Sequence, residues 1–169
     1  MIHRRQINPE ELEALYHDIG KGIWHLQYVE DALSTLLALK VDVKTPGQVN
    51  HAEAVKLLAK HRRNTLGTSL RIAKENSALA ADLQARLTQF KDERDWLVHR
   101  SQNTHGELLY TEVGRAETFN RVASFVSEAQ ALQQAIINEV ASFAQSHGVN
   151  TAEVEANAHA KIAKLKGET

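Results

Sequence analysis

NPEELEALYHDIGKGIWHLQYVEDALSTLLAL, residues 8–39, reads as one long amphipathic helix. Asn8 can cap it, Pro9 suits the first helical position, and Glu10 and Glu11 complement the positive end of the helix dipole. Leu12, Leu15, Ile19, Ile23, Leu26, Val29, Leu33 and Leu36 then recur at three- and four-residue steps. That spacing draws one apolar stripe along a helix ending near Leu39. Trp24 and Tyr28 are read as part of the packing of this helix.

Outward from this helix the same period persists. Residues 41–50, with Thr45-Pro46-Gly47, are a loop. Asn50 can cap a second helix that buries Ala54, Leu57, Leu58, Leu66, Leu70 and Ile72, weakened at Gly67. A third helix starts at Asn76 or Ser77, turns Leu79, Leu83, Leu87, Phe90, Trp96 and Leu97 inward, and ends in Glu93-Arg94-Asp95-Trp96-Leu97-Val98-His99-Arg100. Periodicity lapses from Ser101 to Gly114, where residues 106–114 suggest a loop or one short strand. A fourth helix runs from about Arg115 to Ser146 and stops at Gly148. Thr151 caps a last Ala-rich helix with Val154, Ala158, Ile162 and Leu165 on a narrow stripe. The expectation is an all-α fold, an antiparallel helical bundle of four long helices plus a shorter C-terminal helix. Residues 1–149 form the bundle; residues 150–169 form a C-terminal helix and tail that pack on it or on a partner.

Composition narrows the chemistry. A chain of 169 residues can bury a core without staples. The absence of cysteine excludes disulfides, thiolate zinc sites and a cysteine nucleophile. No apolar run reaches the length of a membrane span, and no export signal is evident at the N-terminus, so a cytoplasmic location with no membrane partner is expected. None of the nine histidines belongs to a recognisable metal-ligand pair, and neither a P-loop nor a dinucleotide fingerprint occurs. No metal and no cofactor are expected.

Net charge is −1, but its placement is uneven. Six acids between residues 8 and 39 face Lys21 alone, whereas six bases between 51 and 74 face Glu53 alone, so the second helix carries a basic face. Lys56, Lys60 and Arg63, together with Arg100, are candidate contacts to an RNA backbone, because phosphates reward clustered Lys and Arg. The competing reading of that run is a solvated helix face.

Arg94, Asp95 and His99 remain as the candidate catalytic set. Arg presents a planar fork of donors suited to phosphate oxygens, and His gives and takes protons near neutrality. Asp95 and His99 are four residues apart, so on a helix the carboxylate can orient the imidazole. Arg94 and His99, five apart, lie about 140° from one another around the axis and converge on one phosphate only if the helix ends near His99 or their long side chains bend together. A second pair at that spacing, Arg100 and His105, falls in the aperiodic stretch beside Gly106 and lacks the polar residue after its Arg. The structural alternative for Arg94 and His99 is a pair of cations at a helix C-terminus, with Asp95 as counter-ion.

Arg94-Asp95-Trp96-Leu97-Val98-His99, an Arg, a polar residue and a His late in a helix of an all-α chain that opens on a long amphipathic helix, resembles the HEPN superfamily (higher eukaryotes and prokaryotes nucleotide-binding). The stretch Ile19-Gly20-Lys21-Gly22-Ile23-Trp24-His25-Leu26 has the look of that family's first helix. The resemblance spans roughly residues 8–146. It implies a metal-independent endoribonuclease that works as a homodimer, two copies of the motif meeting across a cleft. His99 would act as general acid or base, Arg94 would stabilise charge on the phosphate, and Asp95 would orient. It further implies a toxin–antitoxin or phage-defence role, with RNA as substrate and an antitoxin or nucleotidyltransferase as partner. This chain has Ser101 where some toxin members carry the Tyr that such a transferase modifies. Many members of the superfamily bind without turnover, and a noncatalytic nucleotide-, RNA- or protein-binding module of the same fold is the alternative function.

Overall fold

The computed structural model describes residues 4–168, and every regular element in it is helical. Helix α1 spans Pro9–Leu37 and runs directly into a π-helical turn, Ala38–Val43. Then come α2 (His51–His61), α3 (Leu66–Glu75), α4 (Ala81–His99), α5 (Ser101–His105), a 3₁₀ turn at Leu108–Tyr110, α6 (Glu112–Ser146) and α7 (Thr151–Lys166).

The start of α1 follows from its first residues. Asn8 Oδ1 accepts from the Glu11 backbone N–H at 2.7 Å, while Glu11 Oε2 accepts from the Asn8 N–H at 3.1 Å, a reciprocal capping box. The apolar stripe of α1 meets α4 and α6 in one core with Leu15, Leu26, Val29, Leu33, Leu36, Leu87, Phe90, Leu97, Val122, Phe125, Leu132 and Ile136. Phe90 and Phe125 stack at a centroid separation of 4.6 Å. Gly22 lets the three helices approach: a Cβ there would stand 3.2 Å from Leu97 Cδ2 and 3.3 Å from Phe125 Cδ1.

Cross-helix pairs give the chain directions. Glu11 faces Arg115, His25 faces Gln130 and Lys40 faces Glu139, so α1 and α6 run in the same sense. Arg86 faces Glu128 and Glu93 faces Arg121, so α4 runs against α6.

The elements differ from the sequence expectations at definable points. The expected second helix is two. His61 ends α2 with Nε2 2.7 Å from Asp42 Oδ2, and Thr65 opens α3 by accepting from the Thr68 N–H at 3.2 Å. A short polar side chain that bonds its own backbone competes with helix continuation. The third helix starts at Ala81, later than Asn76 or Ser77, because Ser77 takes a positive φ of 50° and Ala78 N–H turns back to the Ala73 carbonyl. The aperiodic stretch is mostly helical: α5, the 3₁₀ turn and an α6 that begins at Glu112, capped by Thr111. Its one extended feature among the described residues is an isolated bridge between Arg4 and Thr111. Asn150, not Thr151, caps α7.

Trp24 and Tyr28 are exposed, at 61% and 43%, not buried. The cause is angular: Trp24 and the fully buried Leu33 are nine residues apart, about 180° around α1, so the stripe that fills the core turns Trp24 outward. No residue of α7 is buried, and Val154, Ile162 and Leu165 lie in the open. Among the described residues no helix is long and apolar enough to cross a membrane.

Candidate functional site

The C-terminal half of α4 carries the motif, and its local order comes from charge spacing on one helix. Lys91 lies four residues before Asp95, so its ammonium reaches Asp95 Oδ2 at 3.0 Å. Arg94 Nη1 donates to Asp95 Oδ1 at 2.8 Å. The Lys91 ammonium and then the Arg94 guanidinium hold the Asp95 carboxyl below the usual carboxylate range. Both Asp95 oxygens are thus engaged, one by Lys91 and one by Arg94, and the contact between Asp95 and His99 that their spacing allows is not made.

Arg94 also faces across to α1, where its Nη2 stands 3.9 Å from Glu30 Oε1. Glu30 is half-buried; burial pushes its carboxyl up from the ordinary value, and the Arg94 charge pulls it the other way. The Arg94 side chain is about three-quarters covered, and its Nε is buried without a hydrogen-bond partner among the described residues. A guanidinium so placed has a fixed direction and an unused donor.

His99 is the last residue of α4 and is exposed. The helix stays regular through both positions, so Arg94 and His99 project about 140° apart. No hydrogen bond or ion pair joins His99 to Arg94 or Asp95. The structure therefore brings together Arg94, Asp95, Lys91 and Glu30, and leaves the imidazole facing solvent. Arg100 is exposed and closes α4, its backbone N–H donating to the Trp96 carbonyl.

Lys56, Lys60 and Arg63 are all exposed. Lys60 stands 3.5 Å from Asp42, while two other members of the basic run are paired, Arg62 with Asp31 at 2.6 Å and Arg71 with Glu75 at 2.8 Å. Asp31 adjoins Glu30, so the end of α2 reaches α1 one residue from where Arg94 does. This shared footing on α1 is what relates the basic run to the motif.

Three neighbours had no signal in the local sequence. Glu30 counts there only as one of many acids. Arg121, 27 positions after Arg94 in the chain, lays its Cζ 3.9 Å from the centre of the Trp96 ring and binds Glu93 through two bonds of 2.9 Å. His105, expected in an open loop, is buried at the end of α5 with its ring edge-on to Trp96, 4.9 Å between centroids. Each is a tertiary contact made by residues far apart in the chain or on separate elements.

A groove of about 570 Å³ between α4 and α6 is lined by Arg86, Gln89, Phe90, Glu93 and Arg121, and contains none of Arg94, Asp95 or His99. Among the described residues no group of three His, Asp or Glu side chains is arranged to hold a metal ion. Compared with family models, curated proteins and solved structures, the chain gave no match.

Proposed function

We propose that this chain is a metal-independent endoribonuclease of HEPN type, acting as a homodimer in the cytoplasm in a toxin–antitoxin or phage-defence setting. The observation that carries the reading is the division of labour on α4: Arg94 is held in place by Asp95 and Glu30, while His99, at the end of the same helix, is exposed. A ribonuclease of this class needs one anchored cation and one accessible proton carrier. His99 takes the proton of a ribose 2′-hydroxyl as that oxygen attacks phosphorus, Arg94 stabilises the charge growing on the phosphoryl oxygens, and the phosphorus–5′-oxygen bond breaks with the leaving oxygen taking a proton from water. The product end is a 2′,3′-cyclic phosphate. The divergence of Arg94 and His99 around one helix supports a site drawn from two chains, each supplying part. Lys56, Lys60, Arg63 and Arg100 supply the backbone contacts, and residues 150–169 lie outside the catalytic bundle.

A second reading rests on the same side chains. Arg94 already faces two carboxylates, and a neutralised guanidinium is also what a purely structural ion network looks like. On that reading the chain is a noncatalytic helical module that binds RNA, nucleotide or protein.

Cleavage of single-stranded RNA in excess chelator separates the two. The catalytic reading requires cutting by the wild-type chain and a loss of at least about a hundredfold in both Arg94→Ala and His99→Ala with helicity retained. Activity that survives either substitution overturns the assignment; RNA binding without turnover supports the second reading.

A further inference from the structure

Helix α1 turns a second, shorter ladder of residues away from the core. Tyr16, Gly20, Trp24 and Tyr28 follow one another at four-residue steps, and all are exposed. Gly20 and Trp24 each stand about 200° around the helix from the buried Gly22, and Glu13 and Asp31 about 180° from it, so the face they share looks directly away from the core. The Trp24 indole N–H donates to Tyr28 Oη at 2.8 Å, with the two rings edge to face. The indole can therefore be covered without orphaning its donor.

The two ends of this face complement each other in charge. At the N-terminal end Glu13 is exposed and forms no ion pair among the described residues. At the C-terminal end Arg62 reaches Asp31, but it spends only Nε on Asp31 Oδ1, at 2.6 Å, and both its terminal nitrogens are without a partner among the described residues. One end thus lacks a cation, and the other has donors to spare. Between them Lys21 is the only Lys or Arg of α1, against six acids, a balance that disfavours a phosphate backbone on this face.

We infer that this face pairs with the same face of a second copy of the chain, the two α1 helices lying antiparallel about a two-fold axis level with Gly22. Three relationships select that register. Trp24 and Gly20, Tyr28 and Tyr16, and Asp31 and Glu13 are each equidistant from Gly22 along the chain, so each lies level with its counterpart on the partner helix. The largest side chain of the face then meets the one residue that has none, where an added Cβ would touch no atom within 4 Å. Glu13 comes level with the partner's Asp31, beside the uncommitted nitrogens of the partner's Arg62. Each contact occurs twice, as an isologous dimer requires. Such a two-fold keeps both α4 helices on one flank of the helix pair, the flank on which Glu30 faces Arg94. The inference deepens the homodimeric reading, on which it rests for function but not for geometry. The three aromatics expose about 300 Å² per chain, under the ~800 Å² per partner of a standard interface, so the dimer dissociates readily.

Sedimentation equilibrium should show monomer and dimer in exchange, with a Kd on the order of 10 µM and no larger species. Trp24→Ala should raise that Kd at least about tenfold. Gly20→Leu, whose side chain has open space in the monomer, should do the same with helicity retained. Glu13→Lys, which sets a cation against the partner's Arg62, should weaken pairing at least about threefold. The chain has no cysteine, so introduced thiols report alone. A short bismaleimide should join Tyr16→Cys chains to Tyr28→Cys chains when the two are mixed, and neither to itself, because like positions then lie twelve residues, about 18 Å, apart along the helix pair. A chain that stays monomeric well above that Kd, undiminished pairing in a folded Gly20→Leu chain, or self-linking of either cysteine variant as strong as the mixed reaction would overturn the proposal. Single-stranded RNA bound by a chain that stays monomeric, and released by Trp24→Ala, would overturn it in favour of a nucleic-acid face. Mass and cross-links are read throughout, never cleavage, so a failed pairing and a failed ribonuclease assignment are told apart.

Discussion

The guanidinium of Arg121 lies over the ring of Trp96, with Cζ 3.9 Å from the ring centre, while its nitrogens grip Glu93 through two bonds of 2.9 Å. One side chain from α6 thus holds two residues of α4 on either side of Arg94. Removing it takes away a cation–π contact to a buried ring and a partly exposed ion pair. Arg121→Ala should cost about 1–2 kcal/mol, read from urea denaturation midpoints. Arg121→Lys keeps the charge but loses the planar stack and the two-pronged grip, so it should restore less than half of that loss. Full rescue by Lys would show that charge alone matters here.

Acid should weaken the N-terminal corner in a defined window. Glu11 is bound by both Arg5 guanidinium nitrogens at 2.6 and 2.7 Å and by the Asn8 N–H, which push its carboxyl down to about 2. A carboxyl depressed in the fold favours the folded state above its unfolded value, and that contribution fades as pH falls from about 4.3 toward 2. Glu11→Gln keeps a capping side chain at the third helical position but removes the charge. Denaturation midpoints between pH 5 and 2 should therefore fall less steeply for Glu11→Gln than for the parent. Asp95, depressed by Lys91 and Arg94, adds to the slope with the same sign.

Two glycines on α1 should respond in opposite directions to the same substitution. A methyl group on Gly20 would meet no other atom within 4 Å, so Gly20→Ala should gain up to about 1 kcal/mol from helix propensity. A methyl group on Gly22 would meet the buried side chains of Leu97 and Phe125 at 3.2 and 3.3 Å, so overpacking should outweigh propensity and Gly22→Ala should lose about 1–2 kcal/mol. Thermal midpoints of the two variants against the parent decide the matter.

Most of what could be read from the chain was set by neighbours three or four residues away, although the equally local caps at Thr65 and Asn150 were missed, and features set by other helices were not legible. The Asn8 cap, the α1 stripe and the stop at Gly148 are local, and they stand as expected. The break after His61 depends on Asp42, 19 positions earlier, meeting the imidazole. The exposure of Trp24 depends on which arc of α1 faces the core, and aromatic character alone misplaced it. At the motif, four-residue spacing allowed Asp95 to pair either backward with Lys91 or forward with His99, and Lys91 holds it. Periodicity offers both partners and cannot rank them.

The proposed sharing of a site between two chains makes a quantitative demand. If each site takes Arg94 from one chain and His99 from its partner, an Arg94→Ala chain retains a usable imidazole and a His99→Ala chain retains a usable guanidinium. In a symmetric dimer of one chain type, neither variant has a complete site. A mixed dimer has one complete site and one that lacks both groups. Random exchange of equal amounts makes half of all dimers mixed, so the mixture should recover about one quarter of wild-type cleavage from two nearly inactive preparations. Recovery should appear only as fast as subunits exchange, which mass-tagged chains can follow alongside the cleavage assay. If exchange reaches completion and cutting stays at the level of the separate variants, Arg94 and His99 do not act across a dimer cleft.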